Sequence, residues 1–368
     1  MAKTMEEMNI TVSDGIAALT PYPPGKPIEE LERELGIQGS IKLASNENPL
    51  GPSKKAVEAI ARELTKLNRY PDGSCYYLKK RLAAFLKVSE DSLIIGNGSN
   101  EIIELLIRTF LKPGDEVLMG DPSFAVYPLV TQAAGGVSVK TPLNDLTIDM
   151  EALGDALTDK TRLVFISNPN NPTGTIVKGK ELDAFIAKAT KNAIIVIDEA
   201  YVEYVTDRDF PDSIKYLDSG KAVIILRTFS KIYGLAGLRV GYGIASPKII
   251  DYLNRVRQPF NVNSLAQVAA TAALDDTEHV ERSRKTNSDG LQMLFTELER
   301  KGFVCVPTEA NFFLVKVGRG DVVYNELLKK GVIVRPMKSY SLPEYIRVTV
   351  GTEAENRRFL EAFFKVME

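Results

Sequence analysis

Short apolar runs that alternate with helical segments constrain this 368-residue chain more than any other feature. The runs show no alternation with polar residues, which is typical of strands buried on both faces of a sheet. Helical patterns such as residues 181–190 separate the runs, and strands that alternate with helices favour a mainly parallel sheet. The predicted strands of this sheet are residues 116–119, 162–167, 193–198, 222–227 and 239–244.

The same patterns divide the chain into three parts. Residues 1–42 are predicted to be an N-terminal arm, in which closely spaced prolines fix an extended path before a short helix around 28–35. Residues 43–261 form a large domain that is helical from about 54 to 110. Residues 262–368 form a small domain with predicted strands 303–306, 312–316, 331–335 and 346–350. We therefore expect an α/β protein: a large domain with a mainly parallel sheet flanked by helices, plus a smaller α+β C-terminal domain.

Composition excludes several classes of function. Lysine and arginine number 46 against 48 for aspartate and glutamate, so no strong field attracts nucleic acid or a membrane. Cys75 and Cys305 lack disulfide or metal-ligand spacing and are predicted to be packing residues in a reducing compartment. The single histidine, His279, lies in a polar stretch that is predicted to be solvated and non-catalytic. No metal site, signal peptide or membrane span is predicted, so we expect a cytoplasmic protein that acts on small molecules.

Polar residues stand at the carboxyl ends of three predicted strands. Because such ends meet at one edge of a parallel sheet, the residues that follow them are expected to converge. The three segments are Asn168-Pro169-Asn170-Asn171-Pro172-Thr173-Gly174, Asp198-Glu199-Ala200-Tyr201 and Arg227-Thr228-Phe229-Ser230-Lys231.

These residue types suit a cationic pyridine. A buried carboxylate at Asp198 favours a protonated ring nitrogen, and a protonated ring makes pyridoxal 5′-phosphate (PLP) an electron sink for a carbanion. A lysine at an apolar strand end loses hydration, which lowers its pKa and exposes the neutral amine that a Schiff base requires. Lys231 is the predicted Schiff-base lysine and general base, and Asn171 and Tyr201 are predicted to bond the ring oxygen O3′.

An anion site is predicted beside the lysine. Free backbone N–H groups at the start of a helix favour anions, and polar residues precede the predicted helix near 101. Each signal alone has a plainer explanation, because an Asn-Pro-rich segment is usually a turn and an acidic residue often caps a helix. Their joint order favours a phosphate site, formed by Ser99, Asn100, Thr228, Ser230 and Arg239.

The motifs resemble the fold-type I, aspartate aminotransferase-like family of PLP enzymes. The resemblance covers the whole large domain, and within this family the chain is most similar to the histidinol-phosphate aminotransferases. The segments that carry the second likeness are 21–27, 43–51, 69–72, 230–242, 334–336 and 346–352.

The resemblance implies cofactor contacts. Lys231 would bind PLP covalently, Asp198 would pair with the pyridinium nitrogen, and Phe124 would stack on the ring at a position where tyrosine is common. Asn171 and Tyr201 would contact O3′. The phosphate would be held by the predicted anion site together with Tyr70, which would reach it from the other subunit of a homodimer.

The resemblance also implies how substrates bind. Arg347 would bind the carboxylate of glutamate or 2-oxoglutarate, since a planar guanidinium suits that bidentate task. Histidinol phosphate carries a phosphate instead, so Arg335 and Arg347 would provide cations for both anions. Tyr22 and Asn48 are expected to line the substrate end.

Three activities and one non-catalytic role are compatible with these expectations. The leading one is amino-group transfer between L-histidinol phosphate and 2-oxoglutarate, which gives imidazole acetol phosphate and glutamate in histidine biosynthesis. An aminotransferase for aromatic amino acids is the nearest alternative, and a threonine-phosphate decarboxylase would be a lyase on the same scaffold. A PLP-binding module without catalysis is disfavoured because no appended DNA-binding segment is visible in the sequence.

Overall fold

Strands and helices alternate along the residues that the computed structural model describes, 10–189 and 192–368. The strands are β1 (Ile41–Lys42), β2 (Leu93–Gly96), β3 (Glu116–Asp121), β4 (Val137–Asn144), β5 (Thr147–Ile148), β6 (Thr161–Ser167), β7 (Ile194–Asp198), β8 (Ala222–Thr228), β9 (Gly241–Ala245), β10 (Phe312–Lys316), β11 (Val332–Ile333), β12 (Arg335–Pro336) and β13 (Tyr345–Thr349). The helices are α1 (Asp14–Ala17), α2 (Ile28–Leu35), α3 (Lys54–Glu63), α4 (Tyr76–Leu86), α5 (Ser99–Phe110), α6 (Val126–Ala133), α7 (Met150–Asp155), α8 (Gly179–Lys188), α9 (Pro247–Val256), α10 (Ser264–Ala273), α11 (Thr277–Arg300), α12 (Gly320–Lys329) and α13 (Glu353–Met367).

The largest sheet has eight strands in the order β2-β9-β8-β7-β6-β3-β4-β5. Strands β8, β7, β6, β3 and β4 are parallel, whereas β9 runs antiparallel between β2 and β8. The register pairs Ser167 with Asp198 and Asp198 with Leu226. The prediction of a mainly parallel sheet is confirmed, and β6, β7 and β8 end at one edge.

Apolar side chains cover both faces of this sheet. Along β6, Leu163 and Phe165 belong to one core and Val164 and Ile166 to the other, because successive strand residues point to opposite faces. Strand β7 alternates in the same way. The apolar runs therefore lack polar alternation because helices pack on both sides.

The C-terminal part has its own small sheet, with the antiparallel order β10-β13-β12. Phe313, Val348 and Phe359 belong to a core shared with α11, α12 and α13. Strand β1 pairs in parallel with β11, and Leu43 packs into the same core. The segment after the N-terminal arm is therefore tied to the C-terminal part of the chain.

Several element predictions need correction. The strand predicted at 239–244 begins only at Gly241, because Arg239 adopts a left-handed backbone with φ of 58°. The strand predicted at 303–306 is reduced to one bridge between Cys305 and Val315. Segment 331–335 is divided between β11 and β12, and both β2 and β4 lie where no strand was predicted. The end of the helix predicted at 181–190 lies outside the described residues, as do residues 1–9 of the arm.

The boundary between the large and small domains stays a prediction. Helix α10, which was assigned to the small domain, packs on α3 and α4. Its Ala266 and Ala270 belong to the core of the large sheet. Packing therefore favours a boundary after α10. None of the described helices is long and apolar enough to cross a membrane.

Candidate active site

A cavity of about 490 Å³ lies at the edge where β6, β7 and β8 end. The parallel register brings distant residues together here, as the sequence predicted. The predicted site residues that line the cavity are Tyr22, Ser99, Asn100, Phe124, Asn171, Asp198, Tyr201, Thr228, Ser230, Lys231, Arg239, Arg335 and Arg347.

A larger depression of about 640 Å³ lies beside β5, α7 and α8. Its charged side chains, such as Glu151 and Lys178, are exposed to solvent. Catalytic groups are characteristically desolvated and placed against specific charged partners. The smaller cavity, which holds buried ionisable groups, is therefore the candidate active site.

Lys231 follows β8 and places its amine inside this cavity. Its Nζ donates to the backbone oxygen of Ser45 at 3.2 Å and lies 5.5 Å from the centre of the Tyr201 ring. Burial, reinforced by the positive charge of Arg347, lowers the pKa of Lys231 from 10.5 to about 8. About a tenth of the amine is therefore neutral and nucleophilic at pH 7, far more than for a lysine with the ordinary pKa of 10.5.

Asp198 is the last residue of β7 and is 5% exposed. The hydroxyl of Tyr127 donates to its Oδ2 at 2.7 Å, and the backbone N–H of Ala200 donates to Oδ1 at 3.3 Å. Burial raises the pKa of Asp198 to about 6, although the hydrogen bond from Tyr127 opposes the rise. The carboxylate is still mostly ionised at pH 7 and suits a cationic partner.

Arg347 and Asn171 meet on another wall of the cavity. Arg347 donates to Asn171 Oδ1 at 2.5 Å and to the backbone oxygen of Ala44 at 2.9 Å. Its guanidinium lies 5.0 Å from the centre of the Phe312 ring. Nη1 and Nη2 carry two N–H groups each and use one apiece in these bonds, so this arginine keeps donors for a ligand.

The predicted anion site lies at the N-terminus of α5. Gly98 precedes the helix with φ of 76°, and a methyl group there would lie 2.8 Å from Arg239 Nη2. The absence of a side chain lets the guanidinium approach the free N–H groups of the helix. At the end of β8, the hydroxyl of Thr228 donates to Ser230 Oγ in the loop that follows, at 2.9 Å. The site combines a helix N-terminus, hydroxyls and a cation.

Arg335 and Tyr22 also line the cavity. Both terminal nitrogens of Arg335 donate to the backbone oxygen of Pro23 at 3.0 Å. The guanidinium also lies 5.0 Å from the centre of the Tyr22 ring. The arm is therefore held beside the cavity by the Arg335 guanidinium.

Asn48 was predicted to line the substrate end, but the structure places it outside the cavity. Its Nδ2 donates to the Ile232 oxygen at 2.7 Å and to Ser283 Oγ at 2.9 Å, and its Oδ1 accepts from Leu50 N at 3.0 Å. These bonds anchor the turn that follows Lys231. The side chain is thereby committed to the protein, not to a substrate.

The environment of His279 also differs from the prediction of a solvated side chain. His279 is 1% exposed, near the start of α11, and its Nε2 lies 3.5 Å from Asn48 Nδ2. Burial lowers its pKa below 6.5. Polar sequence neighbours misled the prediction, because one face of a helix can be buried when the others are solvated.

Tyr70 does not reach the cavity within its own chain. It is 83% exposed and stacks on Phe260 with ring centres 4.8 Å apart. The two cysteines are buried free thiols. Among residues 10–189 and 192–368, no cluster of three or more histidine, cysteine, aspartate or glutamate residues could hold a metal ion.

The sequence prediction missed Tyr127 and Asn46. Tyr127 is fully buried, stacks on Phe165 and bonds Asp198, and Asn46 Nδ2 donates to the Tyr201 hydroxyl at 2.9 Å. Tyr127 stands three residues after Phe124, in the first turn of α6, and the two rings meet edge to face with centres 5.5 Å apart. For Asn46 no comparable spacing signal exists, because its partners are 155 and 303 residues away.

Comparison with known proteins gives relatives over almost the whole chain. Residues 38–363 match the family described as aminotransferase class I and II. Histidinol-phosphate aminotransferase from Moorella thermoacetica is 51% identical and covers 96% of this chain and 92% of the relative. Histidinol-phosphate aminotransferase 1 from Nitrosococcus oceani is 49% identical, with 96% of each protein covered.

Solved structures agree with the predicted fold class. Histidinol-phosphate aminotransferase from Sinorhizobium meliloti, solved in complex with PLP, superposes with a TM-score of 0.89 at 26% identity and 97% coverage of both chains. An aspartate aminotransferase from Thermus thermophilus has the same fold, with a TM-score of 0.84 at 23% identity, 97% coverage of this chain and 100% of that one. The fold-type I architecture is confirmed.

Proposed function

We infer that this chain, which belongs to the class I and II aminotransferases, transfers an amino group between L-histidinol phosphate and 2-oxoglutarate in histidine biosynthesis. It is a PLP-dependent aminotransferase. The products would be imidazole acetol phosphate and glutamate. Relatives at 51% and 49% identity that are named for histidinol phosphate support this substrate.

The observation that carries the proposal is a lysine with a pKa lowered to about 8 in the same cavity as the buried Asp198. PLP, when bound, supplies an electron sink for negative charge that develops on a substrate carbon. Lys231 would hold the cofactor through its amine and then accept and return the proton that moves on the substrate. Asp198 would keep the ring nitrogen protonated.

The remaining cavity residues fit the cofactor. Asn171 Oδ1 accepts from Arg347, so Nδ2 is the atom left to donate to O3′. Phe124 would stack on the ring face, and Tyr201 would donate to O3′ from the other side. The phosphate would lie in the anion site formed by Ser99, Asn100, Thr228, Ser230 and Arg239.

Amine reactivity is expected to follow the lowered pKa of Lys231. The rate at which the apoprotein takes up PLP should rise with pH through a midpoint near 8 instead of 10.5, because only the neutral amine attacks a carbonyl. Stopped-flow absorbance between pH 7 and pH 10 measures this rate. A midpoint near 10 would contradict the role that burial and Arg347 play in lowering the pKa.

Removing the Arg347 guanidinium is expected to weaken binding of the oxo acid. Arg347→Ala should raise the Kd for 2-oxoglutarate roughly 100-fold, because two charge-assisted hydrogen bonds to a carboxylate are lost. The half-reaction with L-histidinol phosphate should be affected less. Arg335→Ala is the matched variant. It should weaken binding of L-histidinol phosphate more than binding of 2-oxoglutarate, since the Arg335 guanidinium would face the substrate phosphate. If Arg347→Ala impaired only the half-reaction with L-histidinol phosphate, the roles assigned to the two arginines would be reversed.

A single-turnover titration tests the substrate. The PLP-loaded enzyme is mixed with L-histidinol phosphate, L-phenylalanine or L-threonine phosphate, and the visible absorbance of the cofactor is followed. Loss of the absorbance at low L-histidinol phosphate, restored by 2-oxoglutarate, supports the proposal. Preference for phenylalanine would indicate an aromatic aminotransferase, and carbon dioxide release from threonine phosphate without an oxo acid would indicate a lyase. If none of the amines changes the visible absorbance of the cofactor, the protein would be a non-catalytic PLP-binding module.

We also propose a homodimer in which Tyr70 reaches the phosphate site of the partner. Phe260, which stacks on Tyr70, is exposed on this chain, and the segments around Tyr70 in sequence also expose Leu64, Leu67 and Tyr77. Exposed apolar side chains of this kind support an interface. In mixed dimers, a Tyr70→Phe chain combined with a Lys231→Ala chain places both defects in one site and leaves the other site intact. Recovery of activity on mixing would support exchange of Tyr70 across the interface.

We also propose a cytoplasmic location for this enzyme. Two free cysteines are compatible with the reducing conditions of that compartment.

A further inference from the structure

The hydroxyl of Tyr201 receives a hydrogen bond that limits where its own proton can go. Asn46 Nδ2 donates to this oxygen at 2.9 Å. The ring is 3% exposed and is held by an edge contact with Phe312 at 5.1 Å. Among the hydrogen bonds of the described residues, the Tyr201 hydroxyl has no acceptor. Its proton is therefore available to a ligand in the cavity that Tyr201 lines.

Thr349 decides which end of the Asn46 amide faces Tyr201. The backbone N–H of Asn46 donates to Thr349 Oγ1 at 3.0 Å, and the Thr349 proton is donated to Asn46 Oδ1 at 3.1 Å. With Oδ1 facing Thr349, Nδ2 must face Tyr201. The reversed amide would leave the buried Thr349 proton without an acceptor and would draw the Tyr201 proton to Asn46.

The backbone holds both partners of this contact in place. Asn46 has a left-handed φ of 56°, a conformation that asparagine tolerates better than most residues. Its carbonyl oxygen accepts from Asn311 Nδ2 at 3.0 Å. Thr349 ends β13, and its N–H donates to the Leu43 oxygen at 2.9 Å. The Thr349 hydroxyl is therefore positioned by a strand and not by a mobile loop.

We propose that Asn46, oriented by Thr349, is a positioning residue that directs the Tyr201 proton into the cofactor cavity. The inference rests on the proposed PLP-dependent function. A phenol that accepts a hydrogen bond at its oxygen is a stronger donor, because hydrogen bonds in a chain polarise one another. Donation at O3′ draws negative charge away from the Lys231 nitrogen and so lowers the pH at which that nitrogen loses its proton.

The visible absorbance of the PLP-loaded protein, titrated with pH, reports the proton on the Lys231 nitrogen without turnover. Asn46→Gly removes the carboxamide and suits the left-handed φ. In this variant the titration midpoint should rise by about 0.2 pH unit, because the bond from Tyr201 to O3′ is weakened and not lost. Tyr201→Phe removes that bond and should raise the midpoint by about 0.5 to 1 pH unit. Adding Asn46→Gly to Tyr201→Phe should produce no further shift, because the asparagine acts through the hydroxyl.

Equal shifts in the wild-type and Tyr201→Phe backgrounds would overturn the inference, as would no shift in either. Thr349→Val keeps the side-chain shape, removes the hydroxyl and should shift the midpoint in the same direction by a smaller amount. It provides the measurement if Asn46→Gly does not fold, and an unmoved midpoint in that variant also overturns the inference. Thr349→Ser keeps the hydroxyl and should keep the wild-type midpoint. Wild-type protein that takes up no PLP would overturn the proposed function itself, and with it this inference.

Discussion

Lys231→Ala is expected to lower kcat by at least about 10⁴-fold, because one side chain both attaches the cofactor and moves the substrate proton. The variant should still fold, since the amine makes one hydrogen bond, to the Ser45 oxygen. Rapid-quench measurement of the first half-reaction with L-histidinol phosphate gives the rate. Borohydride reduction followed by mass spectrometry should show a PLP adduct on the wild-type protein and no adduct on the variant.

The control for this prediction is a lysine of the same chain outside the cavity. Lys285 is exposed and pairs with Asp289 at 2.7 Å on α11. Lys285→Ala should therefore retain both the adduct and the rate. Turnover of Lys231→Ala at the wild-type rate would remove the lysine from the mechanism, even if PLP still bound.

Asp198→Asn is expected to lower kcat by about 10³-fold or more, because the neutral amide cannot hold a positive charge on the ring nitrogen. The substitution keeps the side-chain shape, and the Tyr127 hydroxyl that now donates to Asp198 Oδ2 at 2.7 Å can donate to the amide oxygen. PLP affinity should fall as well. Equilibrium titration of the apoprotein with PLP and single-turnover kinetics measure the two effects separately. Unchanged kinetics would exclude the assigned role.

Stability provides the control for this variant, because the loss of activity should not reflect loss of the fold. Burial raises the pKa of Asp198 from 3.8 to about 6 in the folded chain, so ionisation opposes folding as pH rises through this window. The carboxylate therefore costs up to about 3 kcal/mol above pH 6 and nothing below about pH 4. The Asp198→Asn apoprotein should be more stable than wild type in urea at pH 7, with the difference disappearing near pH 4. Asp183→Asn, at an exposed position on α8, should show no gain.

The contribution of Asp198 to activity and its cost to the stability of the apoprotein have one cause, the burial of its carboxylate. A carboxylate that burial destabilises is available to a cationic ligand, and a bound cation would recover part of the energy that the apoprotein lacks. PLP should therefore stabilise wild type more than it stabilises Asp198→Asn. This pattern of a destabilised apoprotein and a stabilised complex is common at sites built for function rather than for folding.

The sequence by itself determined the central strands of the large sheet and which residues at their ends meet in one cavity. Residues 163–166 and 193–197 are apolar at every position, and short runs of this kind suit strands that are covered on both faces. Strand ends in a parallel sheet share one edge, so the placement of Asn171, Asp198 and Lys231 at one cavity followed from their order along the chain. The local sequence was sufficient to predict that these residues meet, because each one is positioned by the strand that precedes it.

Only the tertiary structure decided contacts between segments that are distant in sequence. Asn48 and Asn46 stand two residues apart in one motif, yet Asn48 anchors the turn after Lys231 while Asn46 bonds Tyr201. The burial of His279 was also decided by the tertiary structure. Its polar sequence neighbours predicted an exposed side chain, whereas the folded chain buries it. Which side of a loop meets which partner depends on packing against residues such as Thr349 and Ser283, and no local periodicity encodes that choice.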